Sequence, residues 1–211
     1  LDSLDGSSPG GNNVAIGYAA LTANTTGGLN TAVGSSALTA LTTGSNNVAV
    51  GYHSMEAATT GFENNAVGRD SLTALTTGGY NVAIGRSALA ANTTASYSTA
   101  VGVNAARETT TSAQGVTAIG ADTLLNNTTG SDNVGVGRAA MYYTTTGANN
   151  VAVGRSALQA NTTASNNTAV GYQALYSNTT GDSLTAVGYQ ALKSNTAVNN
   201  TAIGYQAFRV N

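Results

Sequence analysis

The residues of this chain that can do acid–base, nucleophilic or metal chemistry are few and scattered. His53 is the only histidine, cysteine is absent, and no second ligand type accompanies His53 at a spacing that a metal site needs. The acidic residues fall at different places in the repeat described below, so no pair of carboxylates is set up for general acid–base catalysis. Examples are Glu56, Glu63, Asp70 and Glu108. We therefore predict a chain with no catalytic site, no bound metal and no cofactor.

One set of chemically capable side chains does recur. Tyr or Arg commonly follows the glycine of a repeated Ala-(Val/Ile)-Gly step, and arginines stand there in successive repeats. Like charges side by side in a sheet are unfavourable unless they reach water, so we expect this column to be exposed. Stacked Tyr and Arg could grip a glycan or a partner surface; the alternative is self-stacking that serves solubility. The candidate binding residues are Tyr18, Tyr52, Arg138, Arg155, Tyr172, Tyr189 and Tyr205.

Composition excludes several classes of protein. The 211 residues include 7 Lys and Arg and 9 Asp and Glu, giving a formal net charge of −2, whereas a nucleic-acid binder carries a basic face. No apolar run approaches the roughly 18 residues that a membrane-spanning helix needs. The absence of cysteine rules out a disulfide framework. We predict neither a nucleic-acid partner nor a membrane span.

A repeat organises the whole chain and must position these side chains. Its anchor is the glycine of the Ala-(Val/Ile)-Gly step, and positions below are counted from that glycine as zero. The interval between anchors is constant, except for one longer step to Gly120 and one shorter step to Gly204, and so short a fixed period indicates a solenoid. We predict one repeat domain over 12–211, preceded at 1–11 by a flexible or coil-completing segment. The anchor glycines are Gly17, Gly34, Gly51, Gly68, Gly85, Gly102, Gly120, Gly137, Gly154, Gly171, Gly188 and Gly204.

The columns of this repeat predict an all-β fold. Val-Ala-Val or a similar triplet precedes each anchor glycine, and its alternation of large and small residues is typical of a strand. A second apolar column, mostly Leu, stands at position +4, where we predict a second short extended segment that meets the Val/Ile column inside the coil. Asn, Thr and Gly then favour a turn. The prediction is a parallel β-roll or β-solenoid of twelve 17-residue coils.

Stacking such coils places identical residues about 4.8 Å apart in a rod on the order of 55 Å long. The asparagine at position −4 should form an amide ladder, and the threonines should form hydroxyl ladders.

Paired threonines also raise an ice-binding alternative, although adjacent strand residues point to opposite faces and leave one outward column. Glycosylation sequons at Asn24, Asn92, Asn127, Asn161 and Asn178 are better explained as turn chemistry. The extra residue near 107–112 should bulge outward without shifting the columns.

The alanine at position −2 predicts association between chains. A thin coil buries little apolar surface, and a flat face of methyl groups lets another backbone approach closely. We expect several chains to pack through this face, in a closed cyclic oligomer around the rod axis. The residues are Ala15, Ala32, Ala49, Ala66, Ala83, Ala100, Ala118, Ala152, Ala169, Ala186 and Ala202.

The two ends of the repeat suggest an alternative mode of assembly. The last coil stops after Asn211, and residues near the start of the chain occupy the positions that this coil lacks. A following molecule could complete the coil and extend a filament end to end. The residues of this contact would be Ser8, Pro9, Gly10, Gly11, Phe208 and Asn211.

The motif Asn-Thr-Ala-Val-Gly-Tyr-Gln-Ala-Leu at 167–175, with close copies at 184–192 and 200–208, resembles two known kinds of repeat. It is similar to the head repeats of trimeric autotransporter adhesins (YadA-like), and more similar to repeat arrays of phage tail-fibre-like proteins. The resemblance covers roughly residues 12–211. It implies a left-handed parallel β-roll, a homotrimer, and an adhering fibre on a cell surface or virion. The period of this chain is longer than that of the adhesin repeat.

Together these features predict a structural, non-enzymatic extracellular or virion fibre, serving as the shaft or adhesive head of a trimer. The first alternative is a filament subunit that polymerises through its terminal coils. The second is a solenoid that binds glycans or ice. The expected partners are copies of the chain itself and a cell-surface glycan or host receptor.

Overall fold

The computed structural model of the chain describes residues 10–110, 113–195 and 197–209. Its strands form one 12-stranded parallel sheet whose order follows the sequence, and no helix occurs in the described ranges. Each strand pairs with the strand of the next repeat, as Val14 does with Thr31, so the predicted parallel β-solenoid with one repeat per coil is confirmed. The strands are β1 Val14–Ile16, β2 Thr31–Val33, β3 Val48–Val50, β4 Asn65–Val67, β5 Val82–Ile84, β6 Thr99–Val101, β7 Thr117–Ile119, β8 Val134–Val136, β9 Val151–Val153, β10 Thr168–Val170, β11 Thr185–Val187 and β12 Thr201–Ile203.

Hydrogen bonds join each coil to the next outside the strands as well as within them. In the first coil, the amide of Leu21 donates to the carbonyl of Ala37 at 3.0 Å, and that of Thr25 donates to Thr42 at 2.9 Å. Equivalent bonds recur along the chain, so every coil is a template for its neighbour. Eleven steps between twelve strands at about 4.8 Å give a body roughly 53 Å long.

The predicted second extended segment does not form in the described coils. Instead, positions 0 to +7 make two successive turns. In the first coil these turns are closed by hydrogen bonds from the amide of Ala20 to the carbonyl of Gly17 and from the amide of Asn24 to the carbonyl of Leu21. Positions +2 and +4 have left-handed backbone, with φ of 54° at Ala19 and 57° at Leu21. A coil this short must wind tightly around its interior, and left-handed residues provide that curvature while the leucine still points inward.

The side chains of each strand alternate between the interior and the surface, but the residues that face inward are not the ones predicted. The sequence prediction placed Val and Ile inside the coil and the alanine at −2 outside. The alanine at −2 faces the interior, with Ala32 and Ala118 fully buried, while Ile84 at −1 is 42% exposed. The predicted packing of chains through the alanine column is therefore wrong, because these methyl groups already pack inside their own coil against the leucine column. A narrow coil accepts only a small side chain opposite a leucine. The corrected residues are Ala15, which is half-buried, and Ala32, Ala49, Ala66, Ala83, Ala100, Ala118, Ala152, Ala169, Ala186 and Ala202, which are buried.

One coil shows how tight this interior is. Position −2 is alanine in the other coils but Gly135 in this one, while position +3 of the preceding coil is Thr123, where alanine is usual. A Cβ added to Gly135 would lie 2.6 Å from Cγ2 of Thr123. The Thr123 hydroxyl also donates to the carbonyl of Gly137 at 2.6 Å. The threonine methyl thus takes the space that an alanine methyl fills elsewhere.

This exchange predicts a strong coupling between two substitutions. We expect Thr123→Ala to cost about 1–2 kcal/mol of unfolding free energy, through a lost hydrogen bond and a small void. We expect Gly135→Ala alone to cost about 1–3 kcal/mol by overpacking. The double variant restores the usual pair and should be at least as stable as the parent. Urea unfolding followed by circular dichroism gives all the values, and additive costs would contradict this packing.

The asparagine at −4 forms the predicted ladder. Asn47 and Asn64 are fully buried, and the side-chain oxygen of Asn47 accepts from the backbone amide and side-chain nitrogen of Asn64, at 3.1 and 3.2 Å. The Asn64 nitrogen also donates to the carbonyl of Gly78 at 2.9 Å. Buried polar groups need hydrogen-bond partners, and the ladder provides them for the asparagine side chains and for the backbone groups of the adjacent turn. Ser98, Val116 and Leu184 interrupt it.

The two threonines of most pairs differ in exposure, as predicted for adjacent residues that point to opposite faces. The first residue, such as Thr42, donates its hydroxyl to the carbonyl of Thr59 in the next coil at 3.0 Å. The second, such as Thr43, is exposed. In most of the described coils the first threonine is half-buried and its hydroxyl is engaged by the next coil, which gives no support to a broad ice-binding array of paired threonines.

The irregular coil leaves the strand columns undisturbed. Val101 pairs with Ile119 in the same register as its neighbours, so the prediction that the columns do not shift is confirmed. The hydrogen bonds place the extra residue between Thr110 and Gln114, whose partners are Thr128 and Ser131. Of the segment 107–112, where the outward bulge is predicted, Thr111 and Ser112 lie outside the described residues.

The predicted end-to-end residues are only partly described. Gly10 and Gly11 already belong to the first turn of the solenoid, where the carbonyl of Gly11 accepts from the amide of Leu29 at 3.0 Å. Phe208 is 66% exposed on the last coil. Ser8, Pro9 and Asn211 lie outside the described residues.

The described part of the chain contains no candidate membrane-spanning helix.

Candidate functional site: the tyrosine–arginine face

The column at position +1 lies on the surface, as the sequence predicts. The anchor glycine before it has φ of 123–141° across the chain, a conformation that carries the backbone out of the strand and into the first turn. The side chain that follows is then directed outward, and Tyr18, Arg69, Arg86 and Arg138 are all exposed. Position +2 lies beside it and position +5 follows across the turn. We call the surface made by these three positions the tyrosine–arginine face.

The first cluster on this face surrounds His53. Its ring stacks on that of Tyr52, with centroids 3.7 Å apart, and its Nδ1 lies 3.6 Å from Glu56 and 3.8 Å from Asp70. Arg69 completes the group through a 3.0 Å ion pair with Asp70. Sequence reasoning missed this cluster, because the two acids occupy different positions in the repeat but meet across neighbouring coils. Among the described residues no group of three or more His, Cys, Asp or Glu could hold a metal ion.

The second cluster is a tyrosine stack near the end of the chain. The rings of Tyr172 and Tyr189 are 5.3 Å apart, those of Tyr189 and Tyr205 are 5.2 Å apart, and both pairs lie close to parallel. Stacked rings at this spacing stabilise each other without any ligand. The predicted self-stacking is therefore present, and Tyr172 keeps one ring face without a tyrosine partner among the described residues.

A glutamine ladder runs beside the tyrosine stack at position +2. The side-chain nitrogen of Gln206 donates to the oxygen of Gln190 at 3.2 Å, and the nitrogen of Gln190 donates to the oxygen of Gln173 at 2.9 Å. The amides therefore all point one way. The ladder ends in the Nε2 group of Gln173, which makes no hydrogen bond to the residues that the structure describes.

A groove opens on this face over four successive coils. Its volume is about 420 Å³, and it is lined almost wholly by polar side chains of positions +1, +2 and +5. Sequence reasoning named only the +1 members. Reading position +5 as a further surface column would have found Tyr142, Gln159 and Tyr176, and reading position +2 in the same way would have found the rest. The lining residues are Asp122, Arg138, Ala139, Tyr142, Arg155, Ser156, Gln159, Tyr172, Gln173 and Tyr176.

The groove carries excess positive charge. Arg138 and Arg155 stand one coil apart, and neither forms an ion pair with any described residue. Lys193 adds a third cation, its Nζ lying 5.5 Å from the ring centroid of Tyr176. Asp122 is the single carboxylate in the lining, and it accepts a 3.0 Å hydrogen bond from Asn104. This arrangement can bind an anion that also offers hydroxyl groups to the tyrosines and amides.

A third aromatic cluster lies on another corner and was not predicted. The rings of Tyr80 and Tyr97 are stacked at 5.1 Å, and Phe62 meets Tyr80 edge-on at 5.2 Å. These residues occupy positions +11 and +12, which carry small or polar residues in most other coils. The stack supports the turn locally and stands apart from the groove.

The sequons lie in the interior of the turns. The side chains of Asn92, Asn127, Asn161 and Asn178 are fully buried, and each donates its nitrogen to the carbonyl of the residue three positions later. A modifying enzyme cannot reach such a nitrogen in the folded chain. The predicted turn role is confirmed for these four asparagines.

The remaining surface of note is the outward side of the sheet, which we call the outer sheet face. It consists of the side chains at −1 and −3, which are Val, Ile and Thr apart from Asn65, and it contains no charged residue. Its −1 members are partly or well exposed along the whole rod. They are Ile16, Val33, Val50, Val67, Ile84, Val101, Ile119, Val136, Val153, Val170, Val187 and Ile203.

Comparisons of the chain with protein-family models, curated proteins and solved structures find no match.

Proposed function

We propose that this chain is a structural, non-enzymatic fibre segment whose copies pack side by side through the outer sheet face. The observation that carries the proposal is an uninterrupted, uncharged ladder of Val and Ile side chains at position −1 that one chain leaves partly or well exposed over twelve strands. Monomeric proteins rarely expose apolar patches of this extent, and such patches commonly mark association surfaces.

A second copy of the chain is the partner that fits this surface best. Each strand repeats the same residues at the same spacing as its neighbour, so another copy offers ridges and grooves of identical pitch along the entire rod. A partner without that pitch would match only a few coils. Because the contact has no charged group, its valines and isoleucines can be buried without desolvating an ion.

The proposed assembly is a closed homotrimer with the outer sheet faces turned toward a common axis. Closure covers the apolar face of every copy, whereas an open arrangement leaves some faces exposed. The resemblance of the repeats to those of trimeric adhesins and tail fibres supports the number three and an extracellular or virion setting. The tyrosine–arginine face remains outside, available for contact with a target.

Cross-linking tests which side of the coil meets another chain. The chain has no native cysteine, so Ile119→Cys introduces a single thiol at the centre of the outer sheet face. We expect a short bis-maleimide to give a cross-linked dimer band in high yield, because equivalent residues meet near the axis. Thr94→Cys, on the exposed threonine column, is the matched control and should stay monomeric on the gel. Equal yields for the two variants, or none for Ile119→Cys, would contradict the proposal.

A further inference from the structure

We propose that the groove on the tyrosine–arginine face binds an acidic oligosaccharide through the carboxylate of a sugar residue. The groove is complete within one chain and lies on positions other than those of the outer sheet face. The proposal therefore stands or falls independently of lateral assembly.

The charge in the groove selects an anion. Arg138 and Arg155 are held one coil apart, about 4.8 Å along the rod, where two guanidinium groups repel each other. No described carboxylate pairs with either of them, in contrast to Arg69, which is paired with Asp70 at 3.0 Å. A carboxylate bridging the two guanidinium groups would remove the repulsion and form charge-assisted hydrogen bonds, the strongest kind available on a surface.

The glutamine ladder adds a directed donor at the same place. Its amides all donate toward the start of the chain, and the last free N–H group is that of Gln173, in the groove lining beside Ser156. Hydrogen-bonded chains of amides polarise one another, so the terminal donor is stronger than an isolated one. Gln173 can therefore bind the same anionic sugar as Arg155.

The rest of the lining favours a sugar over a simple anion or a nucleic acid. Tyr142, Tyr172 and Tyr176 present flat rings with hydroxyl groups, and Ser156 and Gln159 offer further donors and acceptors. A ligand with many hydroxyl groups and apolar ring faces satisfies both features, whereas phosphate uses neither. The groove is elongated over four coils, which suits a short chain of sugars. The net charge of −2 for the whole chain disfavours a polyanion as long as nucleic acid.

Binding of defined sugars tests this inference. The probes are a galacturonic acid trisaccharide and sialyl-lactose, each compared with its carboxyl-reduced form by titration calorimetry on the full chain. We expect at least one acidic probe to bind and its reduced form to lose at least about tenfold in affinity. Arg155→Gln should cause a similar loss, since both arginines are exposed and their replacement leaves the core intact.

Arg86→Gln is the matched control, because Arg86 occupies the same +1 position outside the groove and should leave affinity unchanged. Circular dichroism confirms that each variant is folded. The proposal would be overturned if neither acidic probe binds, if reduced and acidic forms bind equally, or if Arg86→Gln weakens binding as much as Arg155→Gln. The proposal would also be overturned if inorganic phosphate binds as tightly as the acidic sugars, because the site would then recognise negative charge alone.

Discussion

Replacing Gly85 by alanine is expected to lower the free energy of unfolding by more than about 3 kcal/mol. Gly85 has φ of 131°, a region that residues with a Cβ rarely adopt. Its added Cβ would also lie 2.5 Å from the carbonyl oxygen of Gly102 in the next coil. Neither backbone can retreat, because hydrogen bonds hold both coils at the sheet spacing.

Two other glycines separate the causes of that loss. Gly204 has φ of 128°, but the nearest atom that its Cβ would meet is 4.0 Å away, so Gly204→Ala reports backbone strain alone. Gly11 has open space around it and no positive φ, so Gly11→Ala should have little effect. Urea unfolding should rank the costs with Gly85 first, Gly204 second and Gly11 last. If Gly85→Ala and Gly204→Ala cost the same, the close approach of stacked coils is not what makes glycine necessary.

Placing charge on the outer sheet face is expected to abolish the proposed assembly while leaving each coil folded. The side chains of Ile84 and Ile119 are 42% and 41% exposed in the single chain, so the Ile84→Glu, Ile119→Glu variant keeps its carboxylates in water while monomeric. In a closed trimer the same groups would be buried without partners, at a cost of several kcal/mol each. We expect sedimentation velocity to show only monomer at micromolar concentration.

The matched control carries the same two charges on exposed residues outside the outer sheet face. Thr77→Glu, Thr94→Glu alters exposed residues of the outward threonine column and should leave the assembly intact. Circular dichroism in both variants shows whether the solenoid survives. A charged outer sheet face that still sediments as the parent does would mean that chains associate through a different surface, or that this surface stays free.

The period of the repeat made most of the fold predictable. Anchor glycines at a constant interval, branched residues before them and an Asn-Thr-Thr-Gly turn already imply stacked coils, a ladder of asparagines such as Asn47 and an exposed column at Tyr18. These features depend only on which residues share a position. Because the coils stack in register, residues at the same position of the repeat have the same surroundings. The repeat in the sequence therefore determines these features directly.

The direction of the strand alternation could not be read from the sequence in the same way. Hydrophobicity alone places Val and Ile inside and Ala outside, but the width of the coil decides which set fits. Leu21 illustrates the difficulty: its φ of 57° turns the chain so sharply that the interior holds a leucine opposite an alanine and nothing larger. Leucine has no preference for that backbone conformation, so its type gives no warning of it.

The groove was hidden for a related reason. Arg155 and Tyr176 are more than one repeat apart and occupy different positions of the repeat, yet both line one cavity. Bringing them together requires that positions +1, +2 and +5 share a side, which follows from the two turns that replaced the predicted second strand. The tyrosine–arginine column was therefore predicted, while the surface that it helps to form was not.

The mass of the native particle tests the central claim most directly, because every proposed role as a fibre needs the outer sheet face covered by other copies. Light scattering coupled to size-exclusion chromatography measures that mass without labels. A closed trimer gives three times the chain mass of 20.8 kDa, unchanged on dilution through the micromolar range. A stable, folded particle of one chain mass would contradict the claim.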